Sequence, residues 1–282
     1  MTSWTNATAP EVAGRGVLRP AETARLTDLR REYPVAPELQ PFVERYWSVR
    51  WDLVGRPAFR AEVLSHASVN LSLESGSHPR FGVCLPAALL HGVVSRRFAL
   101  DLAGWGRVTA VKFRPGGFTA MTGLQVRRDT VCPAPLDVIA DPPSLAGAVL
   151  AEQSDARRVA LVEGALLPLA RSPSPVYTDL LDLMADMQHN RTLLRVEQVA
   201  ATAGLTVRAL QRLFSRYIGV GPKAVLARYR LHDALTSMDS GQVDDLADLA
   251  ASMGWFDQAH FSRDFRREVG VTPSSYLSRV IV

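Results

Sequence analysis

The chain has 282 residues, 47% of them hydrophobic and 21% charged, with a formal net charge of +4. That is enough for two domains of ordinary size and fits a globular chain rather than a disordered or fibrous one. No apolar run approaches the ~18–20 residues a membrane-spanning helix needs. Two cysteines, Cys84 and Cys132, argue against a disulfide scaffold.

In chain order, residues 1–25 are polar and rich in Gly, Pro and Ala without period, and are expected to be a mobile tail. Met1 to Pro10 shows no basic stretch followed by an apolar core, so no secretory signal is expected and a cytoplasmic location is the simplest. Residues 26–170 form the first expected domain. A helix is expected near Pro37 to Tyr46. From Val35 to Asp129 the texture is that of strands, as in Ser68-Val69-Asn70-Leu71-Ser72-Leu73 and Val108-Thr109-Ala110-Val111-Lys112-Phe113, bounded by Gly, Pro and Ser. Leu145 to Ala170 has apolar residues near helical spacing. Arg171-Ser172-Pro173-Ser174-Pro175 reads as a linker, because both prolines break a helix among polar neighbours.

Residues 176–282 read as helical throughout. Tyr177 to Gln188 gathers Leu180, Leu181, Leu183, Met184 and Met187 on one side. Glu197 to Ala203 is a short helix ended by Gly204, and Thr206 can cap the next, which runs through Tyr217. Pro222 suits the first turn of a helix to Met238. Asp244 to Met253 is ended by Gly254, and Asp257 can cap a last long helix through Val269.

This stretch repeats itself. Gly204 matches Gly254 at a separation of 50 residues; Thr206 matches Asp257, Leu210 matches Phe261, Arg212 matches Arg263, Phe214 matches Phe265, Gly219 matches Gly270 and Pro222 matches Pro273, each at 51. The extra residue falls in the turn. Each copy has the pattern of a helix-turn-helix, in which a first helix braces a second whose N-terminal residues meet base edges in the major groove. Glycine suits the turn because it tolerates positive φ. Arg208, Arg212 and Arg216, with Gln211 alongside, face away from the apolar stripe of Leu210, Leu213 and Phe214. Gln258, His260, Ser262 and Arg263 hold the corresponding places in the second copy. Arginine can meet guanine, and glutamine adenine, with paired hydrogen bonds. Residues 176–282 carry twelve basic and twelve acidic side chains, so charge placement and not net charge supports DNA binding. A connecting helix of ~25 Å can hold the units about one DNA turn apart, so one chain can read two successive grooves.

The string Leu210-Gln211-Arg212-Leu213-Phe214, and the run from Phe261-Ser262-Arg263-Asp264-Phe265 through Gly270-Val271-Thr272-Pro273 to Tyr276, resemble the AraC/XylS family of bacterial transcription regulators. The resemblance implies base contacts from Arg208, Gln211, Arg212, Gln258, His260 and Arg263. Thr206, Arg216, Asp257, Ser262, Arg266 and Arg267 are expected at the DNA backbone. Double-stranded DNA is the expected partner and, by the resemblance, RNA polymerase. The first domain resembles the cupin-like sensor domains of some members through Tyr33-Pro34, Phe42 to Trp47, Ser68 to Leu71 and Phe113 to Gly117, which implies effector binding or dimerisation. The expected fold class is α+β, a mainly-β cupin-like N-terminal domain followed by an all-α domain of two helix-turn-helix units joined by a linker helix.

Trp47, Trp51, His66 and Trp105 are the candidate effector-binding residues, although tryptophans in a small β domain also serve as core. His66, His91 and Asp101 could ligate a metal, but no His-x-His pair occurs, and no cofactor is expected. Arg114 to Gly117 reads as a turn. The function read from the sequence is regulation of transcription, without catalysis. A cupin-like metal enzyme fused to a DNA-binding module is the alternative.

Overall fold

A computed structural model describes residues 16–31 and 33–280. Its first half contains β1 (Val17–Leu18), α1 (Pro20–Leu26), β2 (Asp28–Arg31), β3 (Val43–Leu53), β4 (Phe59–Val63), β5 (Asn70–Gly76), β6 (Ala87–His91), β7 (Phe98–Leu102), β8 (Gly104–Phe113), α2 (Gly117–Thr122), β9 (Val131–Pro133), α3 (Pro142–Ala151) and α4 (Asp155–Leu166). The second half is helical: α5 (Pro175–His189), α6 (Val196–Thr202), α7 (Val207–Tyr217), α8 (Pro222–Asp239), α9 (Leu246–Ser252), α10 (Gln258–Val269) and α11 (Pro273–Val280). The architecture is therefore α+β, with a β-rich N-terminal region and a helical C-terminal region.

The strands form two antiparallel sheets, one in the order β1-β4-β7 and one in the order β2-β3-β8-β5-β6-β9. Strand alternation assigns each side chain of the larger sheet to a face. On β5, Leu71 and Leu73 join the main apolar core, where Ala146 and Val149 of α3 also lie. Ser72 and Glu74 turn to the opposite face, toward the smaller sheet. On β3, Trp47, Val49 and Trp51 share that inward face.

The apolar cores run through both halves of the chain. The largest joins Phe42, Leu71, Phe113 and Phe118 to Tyr177, Leu180, Leu210 and Phe214. Tyr177 stacks on Phe42 with ring centroids 5.8 Å apart and donates its hydroxyl to the Pro41 carbonyl at 2.9 Å. A second cluster joins Leu18 and Leu64 to Leu231, Leu235, Trp255, Phe261 and Phe265. Each fully buried Leu or Phe contributes ~1.5–3 kcal/mol, so both helical units lean on the N-terminal region.

Several boundaries differ from the sequence reading. Residues 1–15 of the expected tail lie outside the described residues, but Val17–Leu18 and Pro20–Leu26 form a strand and a helix. Val17 pairs with Val63 and Leu18 with Glu62, which the polar composition conceals. The helix expected near Pro37 to Tyr46 is absent. Consecutive turns, with Leu39 bonding back to Ala36 and Phe42 to Leu39, lead into β3, since Pro41 has no N–H to continue a helix. The helical stretch expected from Leu145 to Ala170 consists of α3 and α4, separated where Glu152 turns extended and Ser154 caps α4. The 171–175 segment is exposed, and α5 begins on its last proline.

Candidate nucleic-acid interface

The two helix-turn-helix units match at the level of single hydrogen bonds. In the first, Gly204 has φ +63° and donates to Ala201, Leu205 N–H donates to the Ala200 carbonyl at 2.9 Å, and Thr206 accepts from Ala209 N–H at 3.2 Å. In the second, Gly254 has φ +76° and donates to Ala251, Trp255 N–H donates to the Ala250 carbonyl at 2.9 Å, and Asp257 accepts from His260 N–H at 2.6 Å. The left-handed glycine reverses the chain, and the cap starts the next helix with its N–H groups pointing outward. Ala200 and Ala250 are both buried where the brace helix meets its partner.

Both recognition helices, α7 and α10, sort their side chains cleanly. Leu210 and Phe214 are fully buried in one, Phe261 and Phe265 in the other. Arg208, Gln211, Arg212 and Arg216 are exposed on α7, and Gln258, His260, Arg263 and Arg266 on α10. Ser262 is half-buried. Arg267 is held along its own helix, 2.7 Å from Asp264 and 3.0 Å from Glu268. Asp264 also accepts from the Trp255 indole at 3.1 Å and lies 3.4 Å from His260 Nε2, so it orients three neighbours. Phe256, in the turn before α10, is 92% exposed and was not picked out from the sequence. The adjacent Trp255 takes the core position.

The spacing of the units is set by α8, whose 18 residues give a rod of ~27 Å. From its middle, Arg228 reaches the N-terminal region. Its guanidinium donates to the carbonyls of Ser65 (3.0 Å), Val94 (2.9 Å), Ser95 (2.6 Å) and Arg96 (3.3 Å), and to Glu268 of α10 at 2.9 Å. One buried arginine thus ties together the connecting rod, the second recognition helix and two loops of the β region. The first unit is anchored separately: the Tyr217 side chain at the end of α7 lies against Gly116, which has φ +73° at the start of α2. That is the role of the Arg114 to Gly117 turn.

Between the two sheets lies a cavity of about 220 Å³. Trp47, Trp51 and His66 line it, together with Ser72, Glu74 and Phe98. Trp105 does not. It is 47% exposed on the outer face of β8, because alternation turns its neighbours Gly106 and Val108 inward and leaves it pointing out. Gly106 has no side chain because the Trp51 ring fills the space its Cβ would take. His66 stacks on His232 of α8 with centroids 4.1 Å apart. Burial holds the His66 imidazole well below the usual histidine range, and pushes His232 down to about 3 with Arg228 adding to the effect. His91 shares the cavity wall, whereas Asp101 pairs with Arg60 at 3.1 Å. Among the described residues no group of three His, Cys, Asp or Glu side chains could hold a metal ion. Cys84 and Cys132 are free thiols. No helix among the described residues is long and apolar enough to cross a membrane.

Comparison with known proteins places this geometry. Residues 199–279 match the family model described as a helix-turn-helix domain, and residues 31–130 match a domain of unknown function. The chain is 35% identical over 82 residues to the uncharacterized HTH-type transcriptional regulator YidL of Escherichia coli, covering 29% of this chain and 27% of that one. The chain spans between about a quarter and a third of the length of the curated relatives it matches. Among solved structures, an AraC-type regulator from Chromobacterium violaceum is 24% identical over 36% of this chain and 92% of that one, with a TM-score of 0.34. ToxT from Vibrio cholerae is 11% identical over 89% of this chain and 97% of its own, with a TM-score of 0.44. The repeated turn chemistry and the matched family model together show that residues 199–279 form a helix-turn-helix domain.

Proposed function

We propose that the chain is a sequence-specific DNA-binding regulator of transcription that acts by binding rather than by catalysis. The observation that carries this reading is the pair of capped, amphipathic recognition helices on one rigid rod, each with its polar face exposed. Arg208, Gln211 and Arg212 of α7 meet base edges in one major groove, and Gln258, His260 and Arg263 of α10 in the next. Thr206, Arg216, Asp257, Ser262 and Arg266 face the flanking phosphates and sugars. Arg267 acts mainly by positioning Asp264, which its ion pair supports. Because the two helices differ in sequence, the site that one chain reads need not be a palindrome.

The N-terminal domain, residues 26–170, has the role of sensor. Its cavity takes a small-molecule effector, and the Arg228 contacts carry the effect to α8 and α10. Contact with RNA polymerase and pairing of two chains complete the proposed action. The test is selection of genomic fragments by the full-length protein at ~150 mM salt, a physiological ionic strength. Enrichment of one asymmetric motif, with two blocks about one helical turn apart, is expected. Binding that shows no preference over competitor DNA, both for the full chain and for residues 176–282, would overturn the reading.

A further inference from the structure

The two helix-turn-helix units differ by one residue in the turn, and the backbone hydrogen bonds identify it. Leu205 N–H donates to the Ala200 carbonyl and Trp255 N–H to the Ala250 carbonyl, each at 2.9 Å, so Trp255 stands where Leu205 does. Thr206 and Asp257 cap α7 and α10. The first cap follows Leu205 directly, whereas Phe256 separates the second from Trp255. Phe256 is therefore the inserted residue and has no counterpart in the first unit.

A residue directly before a cap ordinarily packs on the fourth residue of the helix and fixes the angle at which the chain enters. For α10 that place, on Phe261, is taken by Trp255, with ring centroids 4.9 Å apart. The indole is fixed further by Asp264, which accepts from its N–H at 3.1 Å, and by the Arg230 guanidinium 4.1 Å from its ring centroid. Phe256 belongs to none of the three apolar clusters and is 92% exposed. Single exposed apolar residues are common on protein surfaces, so it is the place of this one that carries weight. Phe256, Asp257, Gln258, Ala259 and His260 form an unbroken exposed run at the leading end of α10. That is the end a recognition helix presents to base edges. Gln258 and His260 bring hydrogen bonds there, and Phe256 brings only an apolar ring. On the major-groove edge of a base pair the apolar feature is the C5 methyl of thymine, which phenylalanine meets by direct contact. Apolar wedges between base steps enter from the minor groove, which a recognition helix does not occupy.

We infer that Phe256 is a further base-reading residue, whose ring packs on a thymine methyl in the block read by α10. This selectivity rests on the proposed DNA-binding function and deepens it. It falls on one block alone, because the first unit lacks the residue.

The test uses the full-length protein and the site it selects from genomic fragments. Each thymine of that site is replaced in turn by deoxyuridine, which pairs in the same way and lacks only the methyl. Affinity is read by fluorescence anisotropy at ~150 mM salt. One replacement, in the block whose preference relaxes in Arg263→Ala, is expected to weaken binding about fourfold, the value of one methyl-sized group kept from water. The same replacement is expected to leave the affinity of Phe256→Ala unchanged, and Phe256→Leu, still apolar, to keep part of the methyl dependence. Because Phe256 packs in no core cluster, Phe256→Ala is expected to keep the urea midpoint of the parent. If no deoxyuridine weakens binding, or if the loss persists in Phe256→Ala, the assignment is overturned. It is overturned too if Phe256→Ala keeps full DNA affinity and loses only transcription by RNA polymerase, which would give the ring to a protein partner. Selection of no site would overturn the regulator reading itself, whereas a selected site indifferent to the methyl overturns the role of Phe256 alone.

Discussion

Replacing Arg228 with methionine keeps most of the side chain's apolar stem and removes the guanidinium that joins α8 to the β region. Arg228 is 6% exposed, so solvent cannot easily take over its five hydrogen bonds. Breaking a buried charged pair by removing one partner costs about 3–5 kcal/mol. The lower end applies here, because Glu268 keeps Arg267 at 3.0 Å and is not left wholly unpaired. Four carbonyls lose a donor as well, but those at the loop 94–96 can move outward to water. A net loss of ~3 kcal/mol is expected, or roughly 6–12 °C in midpoint for a chain of this size. The assay is urea unfolding of the full-length protein, followed by far-UV dichroism and tryptophan fluorescence together. A double-mutant cycle with Glu268→Gln should return a coupling of about 1–3 kcal/mol. A loss under ~1 kcal/mol, with no coupling, would show that the guanidinium network is dispensable and that apolar contacts alone hold the two halves.

Other outcomes follow from the same geometry. Arg212→Ala and Arg263→Ala should each weaken binding to the selected site by about 1–3 kcal/mol and relax preference at one block only; uniform weakening on all sequences, read by competition binding, would make them phosphate contacts. Gly204→Ala and Gly254→Ala both place a side chain at positive φ, worth about 1–2 kcal/mol. Gly254→Ala should cost more in urea midpoint, because its Cβ would come within 2.6 Å of Leu194 while Gly204 has nothing within 4 Å; equal losses would refute the Leu194 contact. Stability should depend on pH through His66 and His232. Their folded pKa values lie below the unfolded value of ~6.5, so the unfolded chain takes up protons first as pH falls. Stability is then fully present above about pH 6.5 and declines below it, by up to ~1.4 kcal/mol per pH unit for each ring. His232→Phe should flatten that decline in urea titrations between about pH 6.5 and 5, and an unchanged slope would place the titrating group elsewhere.

The helical half was legible in the sequence because its signals are local. Gly204, Gly254, Thr206 and Asp257 each set a turn or a cap through bonds to residues within four positions. Helix boundaries from α5 to α10 accordingly fall within about two residues of the pattern. The cavity was only partly legible. Trp47 and Trp51 are four apart on one strand and share a face, as alternation requires, but Trp105 looked equally suitable by composition alone. Ser72 and Glu74 were missed for a physical reason. A strand with alternating Leu and polar residues reads as half-solvated, and only the second sheet, from distant β4 and β7, converts that polar face into a buried one. Arg228 and Glu268 were invisible for the same reason. They sit on separate helices, and the carbonyls of Ser65 and Val94 that Arg228 reaches lie more than a hundred residues away.

Ser65 and Val94 accept from Arg228 through their carbonyls and also line the cavity. In the proposed function the same short pieces of backbone thus belong to two equilibria, the filling of the cavity by a small molecule and the placement of α10. Thermodynamic reciprocity then binds the two together. If filling the cavity changes affinity for a DNA site by some factor, occupation of that site must change affinity for the small molecule by the same factor. A cell containing many copies of the operator would therefore alter how much effector the protein holds, and the apparent sensitivity of the sensor would be a property of the genome as well as of the cavity.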